Sequence, residues 1–283
     1  ALTEKAISFI KKHSHEPFFI YLPHPQPHVP LFAAEEFQNT QARGLYGDVI
    51  SEIDASVGSI ISTLKEQGLY QDTIIIFTSD NGGMAASNQS NLTHTSREIL
   101  NSKFASSNLP LRGAKGWNYE GGIRVPLIVY WPGQIQPNST SHAIVTGTDY
   151  YPTLLDMLKL PALPDQHRDG KSFVPALKAE DYDRGAVYWH FPHYSNHGFQ
   201  SPNGAIRFGR YKLIEYYENG TVQLFDLEND IGEQNDIAKS HPTVTKKLKK
   251  MLQQWRDDVD AKMPYPKTAT SKPAAGARVA KPK

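Results

Sequence analysis

Four places in this 283-residue chain combine residue types that can do chemistry. Asp80 and Asn81 stand in Ser79-Asp80-Asn81-Gly82-Gly83, directly after the apolar run Thr73 to Thr78. A carboxylate beside an amide offers hard oxygen ligands, suited to Ca²⁺ and less to Mg²⁺, where α/β sheets place ligands, beyond the carboxyl ends of strands. Two side chains fall short of the roughly six to eight oxygens of a Ca²⁺ shell, so other ligands would come from elsewhere. A plain Asp-Asn-Gly-Gly turn is the alternative. His28 lies between Pro27 and Pro30, with His24 upstream. A loop stiffened by proline can hold an imidazole as an anion donor or general acid; a solvated loop histidine is the bland reading. Lys115, in Gly113-Ala114-Lys115-Gly116, has neighbours small enough for an anion to reach backbone and ammonium together, or is a solvated loop charge. Finally, Tyr188-Trp189-His190-Phe191-Pro192-His193-Tyr194, with His197 just beyond, offers aromatic and imidazole groups that can stack on and hydrogen-bond to a sugar. A packed interface with exposed histidines is the competing reading.

The elements that must carry these residues alternate. Ala6, Phe9 and Ile10 repeat at helical spacing, and Phe18 to Leu22 reads as a short buried strand. The four prolines of PHPQPHVP forbid helix or ladder there. Leu45, Val49, Ile53, Val57, Ile60 and Leu64 trace one face of a long helix that stops near Gly68. Thr73 to Thr78 is apolar on both faces, the pattern of a central parallel strand. Met84 to about Leu109 is polar and reads as a surface insertion. Pro126 to Trp131 is a second buried strand, and Tyr150 to Leu158 a helix that Asp149 would cap. Strand–helix alternation of this kind argues for an α/β body with a mostly parallel sheet sandwiched by helices. Past Asp181 short β-rich runs separated by turns, Asn219-Gly220 among them, precede an amphipathic helix from Val244 to Val259. The expected organisation is an α/β portion over 1–180, a small antiparallel sheet with one packed helix over 181–263, and a disordered basic tail over 264–283.

Composition excludes several classes. Hydrophobic residues make up 39% of the chain, enough for a sizeable core. Of a net charge of +1, the last seventeen residues contribute five positive charges, so the folded part is net acidic and no nucleic-acid surface is expected. No run reaches the roughly 18 apolar residues of a membrane span. Cysteine is absent, which removes disulfides, zinc–thiolate sites and a cysteine nucleophile from these residues. The opening ALTEKAISFIKK has no secretory leader pattern and is expected to be a cut end.

Taken together and in order, PFFIYLPHPQPHVPL, IIIFTSDNGG, LRGAKGWNYEGGIRVPLIVYWPG and HAIVTGTDYYPTLLDML resemble the formylglycine-dependent type I sulfatases of the alkaline phosphatase superfamily. AIRFGRYKLIEYYENGTVQLFDLENDIGEQNDIA is similar to that family's small subdomain, bacterial polysaccharide sulfatases above all. The resemblance covers about residues 3 to 260. It implies that Asp80 and Asn81 are the later pair of the Ca²⁺ ligands, that Lys115 contacts the substrate sulfate, and that His28 contacts it and can protonate the leaving alcohol. His24, His190, His193 and His197 would line the leaving-group subsite. Arg124 and Asp149 match positions read as structural.

The family's nucleophile, a formylglycine made within Cys/Ser-x-Pro-x-Arg, has no counterpart in these residues; SNLPLR comes nearest, but Asn108 stands where Ser is required. The first metal-binding aspartates are missing too. The resemblance therefore implies the C-terminal part of a sulfatase, inactive alone, whose N-terminal half lies in other sequence, such as a separate chain. It implies a periplasmic or secreted enzyme acting on a sulfated saccharide. A phosphoesterase or phosphonate hydrolase of the same superfamily, or a non-catalytic remnant that binds sulfated glycans, are the alternatives.

Overall fold

A computed structural model describes residues 1–84, 106–194 and 200–265. Most of the expected surface insertion, His197 and nearly all of the expected tail therefore lie outside the described residues. Helix α1 (Leu2–Lys12) packs on α2 (Gly44–Glu66). Ala6, Ile10, Val49 and Leu64 are buried, and the Thr3 and Ser56 hydroxyls bond at 2.7 Å. Gly68, at φ +71°, ends α2 as the hydropathy pattern predicts: its N–H and that of Leu69 return to the Lys65 and Leu64 carbonyls, the paired bonds of a Schellman turn.

Two strands follow, β1 (Ile75–Thr78) and β2 (Leu127–Tyr130), and here the structure departs from the expected parallel sheet. They pair antiparallel, Ile75 opposite Tyr130 and Thr78 opposite Leu127, and no parallel pair occurs among the described residues. A continuous apolar run reports that a strand is built to be covered on both faces; it does not report the direction of its neighbour. In this chain much of that surface is open, with Ile128 62% exposed. Phe18 to Leu22 departs in the same way. It forms no strand with any described residue, and alternate residues, Phe19 and Tyr21, face solvent. Between β1 and β2 lies the one-turn helix α3 (Glu120–Ile123); α4 (Tyr150–Met157) and α5 (Val174–Leu177) come after β2.

The C-terminal part is the expected antiparallel sheet with one helix. Strands β3 (Val187–Phe191), β4 (Asn203–Phe208), β5 (Tyr211–Tyr216) and β6 (Val222–Asp226) form a meander in chain order, covered by α6 (Pro242–Asp258). Side chains alternate across a strand, so each strand feeds two cores. Ile206, Leu213 and Leu224 point to one face, where Leu248 and Leu252 of α6 seal them. Their sequence neighbours Ala205, Ile214 and Phe225 point to the other face, where they pack on Tyr119 and Trp117, just before α3. Burying each large side chain contributes about 1.5–3 kcal/mol, so both faces are strongly held. The sheet is thus a layer between a helix and the loop that carries Lys115.

Candidate functional site

The loop after β1 and the loop before α3 interlock. The Gly82 N–H donates to the Gly122 carbonyl at 3.0 Å, and the Lys115 N–H donates to the Gly83 carbonyl at 3.2 Å. The approach is so close that a Cβ on Gly82 would lie 1.8 Å from the Gly121 carbonyl oxygen, and one on Gly122 2.2 Å from that of Trp117. Gly82, Gly121 and Gly122 are therefore explained by backbone meeting backbone, whereas a Cβ on Gly83 would meet the side chains of Ser106 and Asn108. Asn108 bridges the two loops, donating from Nδ2 to the carbonyls of Gly83 (2.8 Å) and Gly113 (3.1 Å). Asp80, Asn81 and Lys115 are thereby brought to one place, Asp80 exposed and Lys115 half-buried.

Asp80 and Asn81 fit the role of partial ligands for a hard cation. Asn81 donates Nδ2 to the Gly82 carbonyl, a bond that leaves its amide oxygen available as an acceptor or ligand. Among the described residues no group of three or more acidic or histidine side chains stands ready for a metal, so a metal held by Asp80 and Asn81 would need further ligands from elsewhere.

Three consecutive residues nail the Lys115 loop to the small sheet. Asn118 donates its N–H to Gln200 Oε1 (2.7 Å) and its Nδ2 to Asn203 Oδ1 (2.8 Å). The Tyr119 hydroxyl donates to Gln223 Oε1 at 2.6 Å and bonds the Tyr216 hydroxyl at 2.9 Å; burial, with that partner, pushes the phenol well up. Glu120 donates its N–H to Glu233 Oε2 at 2.7 Å. Its own carboxylate meets Lys212 Nζ at 3.0 Å and Arg124 Nη1 at 3.0 Å, while Lys212 also lies 2.9 Å from Glu233. Burial raises both carboxyls. For Glu120 the Lys212 charge, with Arg124 and Arg207, outweighs burial and holds it below the usual range; for Glu233 burial wins. Arg124 is structural as expected, but its tie to the sheet runs through Glu120.

Asp149 is structural in a different way from the expected helix cap. Its side chain makes no cap bond to α4; it accepts from the N–H groups of Thr146 and Lys171, each at 2.9 Å, and pairs with Arg184 at 2.9 Å while fully buried. The residues after Asp149 are reached by its main-chain carbonyl, which accepts from the Thr153 hydroxyl.

The histidines are spread out. His28 is exposed on the proline loop, its Nδ1 2.6 Å from the Val29 carbonyl. His24 faces the Ser56 hydroxyl of α2 at 3.5 Å. Asp48, on α2, orders the segment further on by accepting from the N–H groups of Asn39, Thr40 and Gln41. On β3, His190 is held at both ring nitrogens, by the Tyr217 hydroxyl (2.6 Å) and the Lys262 carbonyl (2.9 Å). His193 is exposed, edge-on to the Phe191 ring. Among the described residues, His28 and His24 bond to their own loop and to α2, and His190 to Tyr217 beside the small sheet and to the segment after α6, not to the interlocked loops.

Residues 1–160 match the family model described as Sulfatase, more than half of the chain. The chain belongs to the sulfatase family. Residues 114–258 match a second model, N-sulphoglucosamine sulphohydrolase, C-terminal. Relatives of this sulfatase chain include a protein named Sulfatase from Formosa agariphila (30% identical, covering 94% of this chain and 53% of that protein). An N-acetylgalactosamine-6-O-sulfatase from Bacteroides thetaiotaomicron is 32% identical over 89% of this chain and 50% of its own length. Among solved structures, that of Ps i-CgsB in complex with k-i-k-neocarrahexaose superposes with a TM-score of 0.73 at 30% identity, covering 90% of this chain and 53% of that one. The chain thus spans about half the length of the relatives it matches. The shared fold is that of the alkaline phosphatase-like sulfatases, of which these residues supply the helices and the small antiparallel sheet.

Residue types alone did not mark Asn108, Glu120, Lys212 or Glu233. A lysine within the apolar alternation of Tyr211-Lys212-Leu213-Ile214 was the available signal, since a charge at a core position needs buried partners.

Proposed function

We propose that this chain is the C-terminal portion of a sulfuric ester hydrolase that removes sulfate from a sulfated carbohydrate. The observation that carries the reading is the interlock, which sets the Asp80–Asn81 oxygens beside the Lys115 loop through two backbone bonds. A relative named N-acetylgalactosamine-6-O-sulfatase and a neighbour in complex with k-i-k-neocarrahexaose support the carbohydrate class. Asp80 and Asn81 would hold a Ca²⁺ ion, which supplies charge stabilisation at a sulfate oxygen. The formylglycine nucleophile and the first metal ligands belong, on this reading, to sequence outside these residues, in an enzyme of the periplasm or the cell exterior. Lys115 holds the negative sulfate group by its ammonium, and His28, on its stiff loop, gives a proton to the departing sugar oxygen. His24, His193 and His197 would contact the sugar; His190 acts by fixing that strand.

Full-length enzyme with aryl sulfate, aryl phosphate and sugar sulfate substrates tests this. Sulfate should turn over faster than phosphate; the reverse makes the protein a phosphoesterase. His28→Ala should cost about 10²–10⁴-fold on a sugar sulfate and much less on an activated aryl sulfate, because proton donation matters most for a poor leaving group. Equal losses would remove His28 from that role.

A further inference from the structure

We propose that Lys212, with Glu120 and Glu233, is a buried clamp that positions Lys115 for the anion, so that the small antiparallel sheet acts as part of the site. This rests on the reading of Lys115 as the sulfate-contacting residue. Lys212 is fully buried on β5 and cannot itself touch a substrate. Its ammonium lies 3.0 Å from Glu120 Oε1, which belongs to the Lys115 loop, and 2.9 Å from Glu233 Oε1, which lies after β6. Glu233 in turn accepts from the Glu120 N–H at 2.7 Å and, through its main-chain carbonyl, from Arg112 Nη1 at 2.9 Å. Arg112 stacks over the Tyr119 ring, its guanidinium carbon 4.1 Å from the ring centre. The loop is therefore gripped at both ends, residues 112 and 120, by one buried carboxylate residue whose charge is balanced by Lys212. Lys115 sits between those grips, and its N–H reaches Gly83.

Pure stability does not require this arrangement. A buried ion pair is commonly no better than well-packed apolar side chains, whereas removing one partner leaves an uncompensated charge. What charged groups add is geometric restriction: Lys212 must lie within hydrogen-bond reach of two carboxylates at once, which leaves the loop one position. Sulfate binding should then depend on Lys212 only through Lys115.

The test is a double-mutant cycle on the full-length enzyme, reading the affinity for inorganic sulfate by titration calorimetry and amide exchange of residues 112–123 by mass spectrometry. Lys212→Met should weaken sulfate about tenfold and speed exchange in that loop while α6 exchanges as before. In the Lys115→Ala background the same change should cost nothing further. If the two losses multiply, or if Lys212→Met binds sulfate as the parent does, the clamp is refuted. If Lys115→Ala alone leaves sulfate affinity unchanged, the assignment of Lys115 fails instead, and loop exchange in Lys212→Met, faster or unchanged, decides the clamp by itself. Should Lys212→Met not fold, Lys212→Met with Glu233→Gln keeps the buried charge balance and takes its place with the same criteria.

Discussion

Replacing Gly82 with alanine adds one methyl group where two loops touch. Gly82 does not need a left-handed backbone, so the substitution carries no conformational penalty of its own. The added carbon would lie 1.8 Å from the Gly121 carbonyl oxygen, 2.8 Å from the carbon of that carbonyl and 3.0 Å from Gly122 Cα, all backbone atoms that cannot rotate away. Relief to ordinary contact distance requires the loops to part by roughly 1.5 Å. That breaks the Gly82–Gly122 and Lys115–Gly83 bonds, each worth about 0.5–1.5 kcal/mol net, for a loss of about 1–3 kcal/mol. It also separates the Asp80–Asn81 oxygens from Lys115, and a misplacement of about 1 Å can cost on the order of 10²-fold in turnover. Urea unfolding gives the first quantity and turnover of a sulfate ester by the full-length enzyme the second. Gly58→Ala is the control. No atom lies within 4 Å of its added carbon, and in the middle of α2 it should be neutral or stabilise by up to about 1 kcal/mol. A Gly82→Ala variant as stable and as active as Gly58→Ala would refute the interlock.

The clamp has a pH signature of two opposite signs. Glu120 is held below its usual 4.5, so its stabilisation is present above that pH and lost as the pH falls through the lowered native value; Glu120→Gln should flatten the acid side of a melting-temperature profile. Glu233 is raised above its usual 4.5, so its contribution is complete below that pH and lost as the pH rises through the raised native value. Glu233→Gln should therefore compare better with the parent at pH 8 than at pH 5, and the opposite trend in calorimetric melting would contradict the assignment. Asp149→Ala strips a fully buried acceptor from two backbone N–H groups and leaves Arg184 unpaired, and should destabilise by about 3–5 kcal/mol in urea unfolding; a loss under about 1 kcal/mol would show that the network is not needed.

Local signals located most elements to within a residue or two. Gly68 stopped α2, Asn219-Gly220 turned β5 into β6, and the short β-rich runs past Asp181 marked the strands of the small sheet, which are buried on both faces. The DNGG and EGGIR glycines marked loops that matter, although only coordinates show that they matter to each other. Long-range pairing was not legible. The apolar run of β1 could not report its antiparallel neighbour, and Phe18 to Leu22 carries a strand's composition without a partner among these residues. Glu120, Lys212 and Glu233 are far apart in the chain and ordinary in type, so nothing short of the fold joins them.

The clasp around the Lys115 loop also fixes a timetable. Glu120 and the carboxylate that holds its N–H are 113 residues apart, and Asn118 and Asn203 are 85 apart. At synthesis rates of about 5–20 residues per second, several seconds or more separate emergence of the loop from emergence of the carboxylate. Until then the loop has no sheet to lie on. Lys115 would reach its place only after Glu233 has emerged, and a premature stop between β5 and Glu233 would remove that carboxylate while leaving His28, Asp80, Asn81 and Lys115 in the chain.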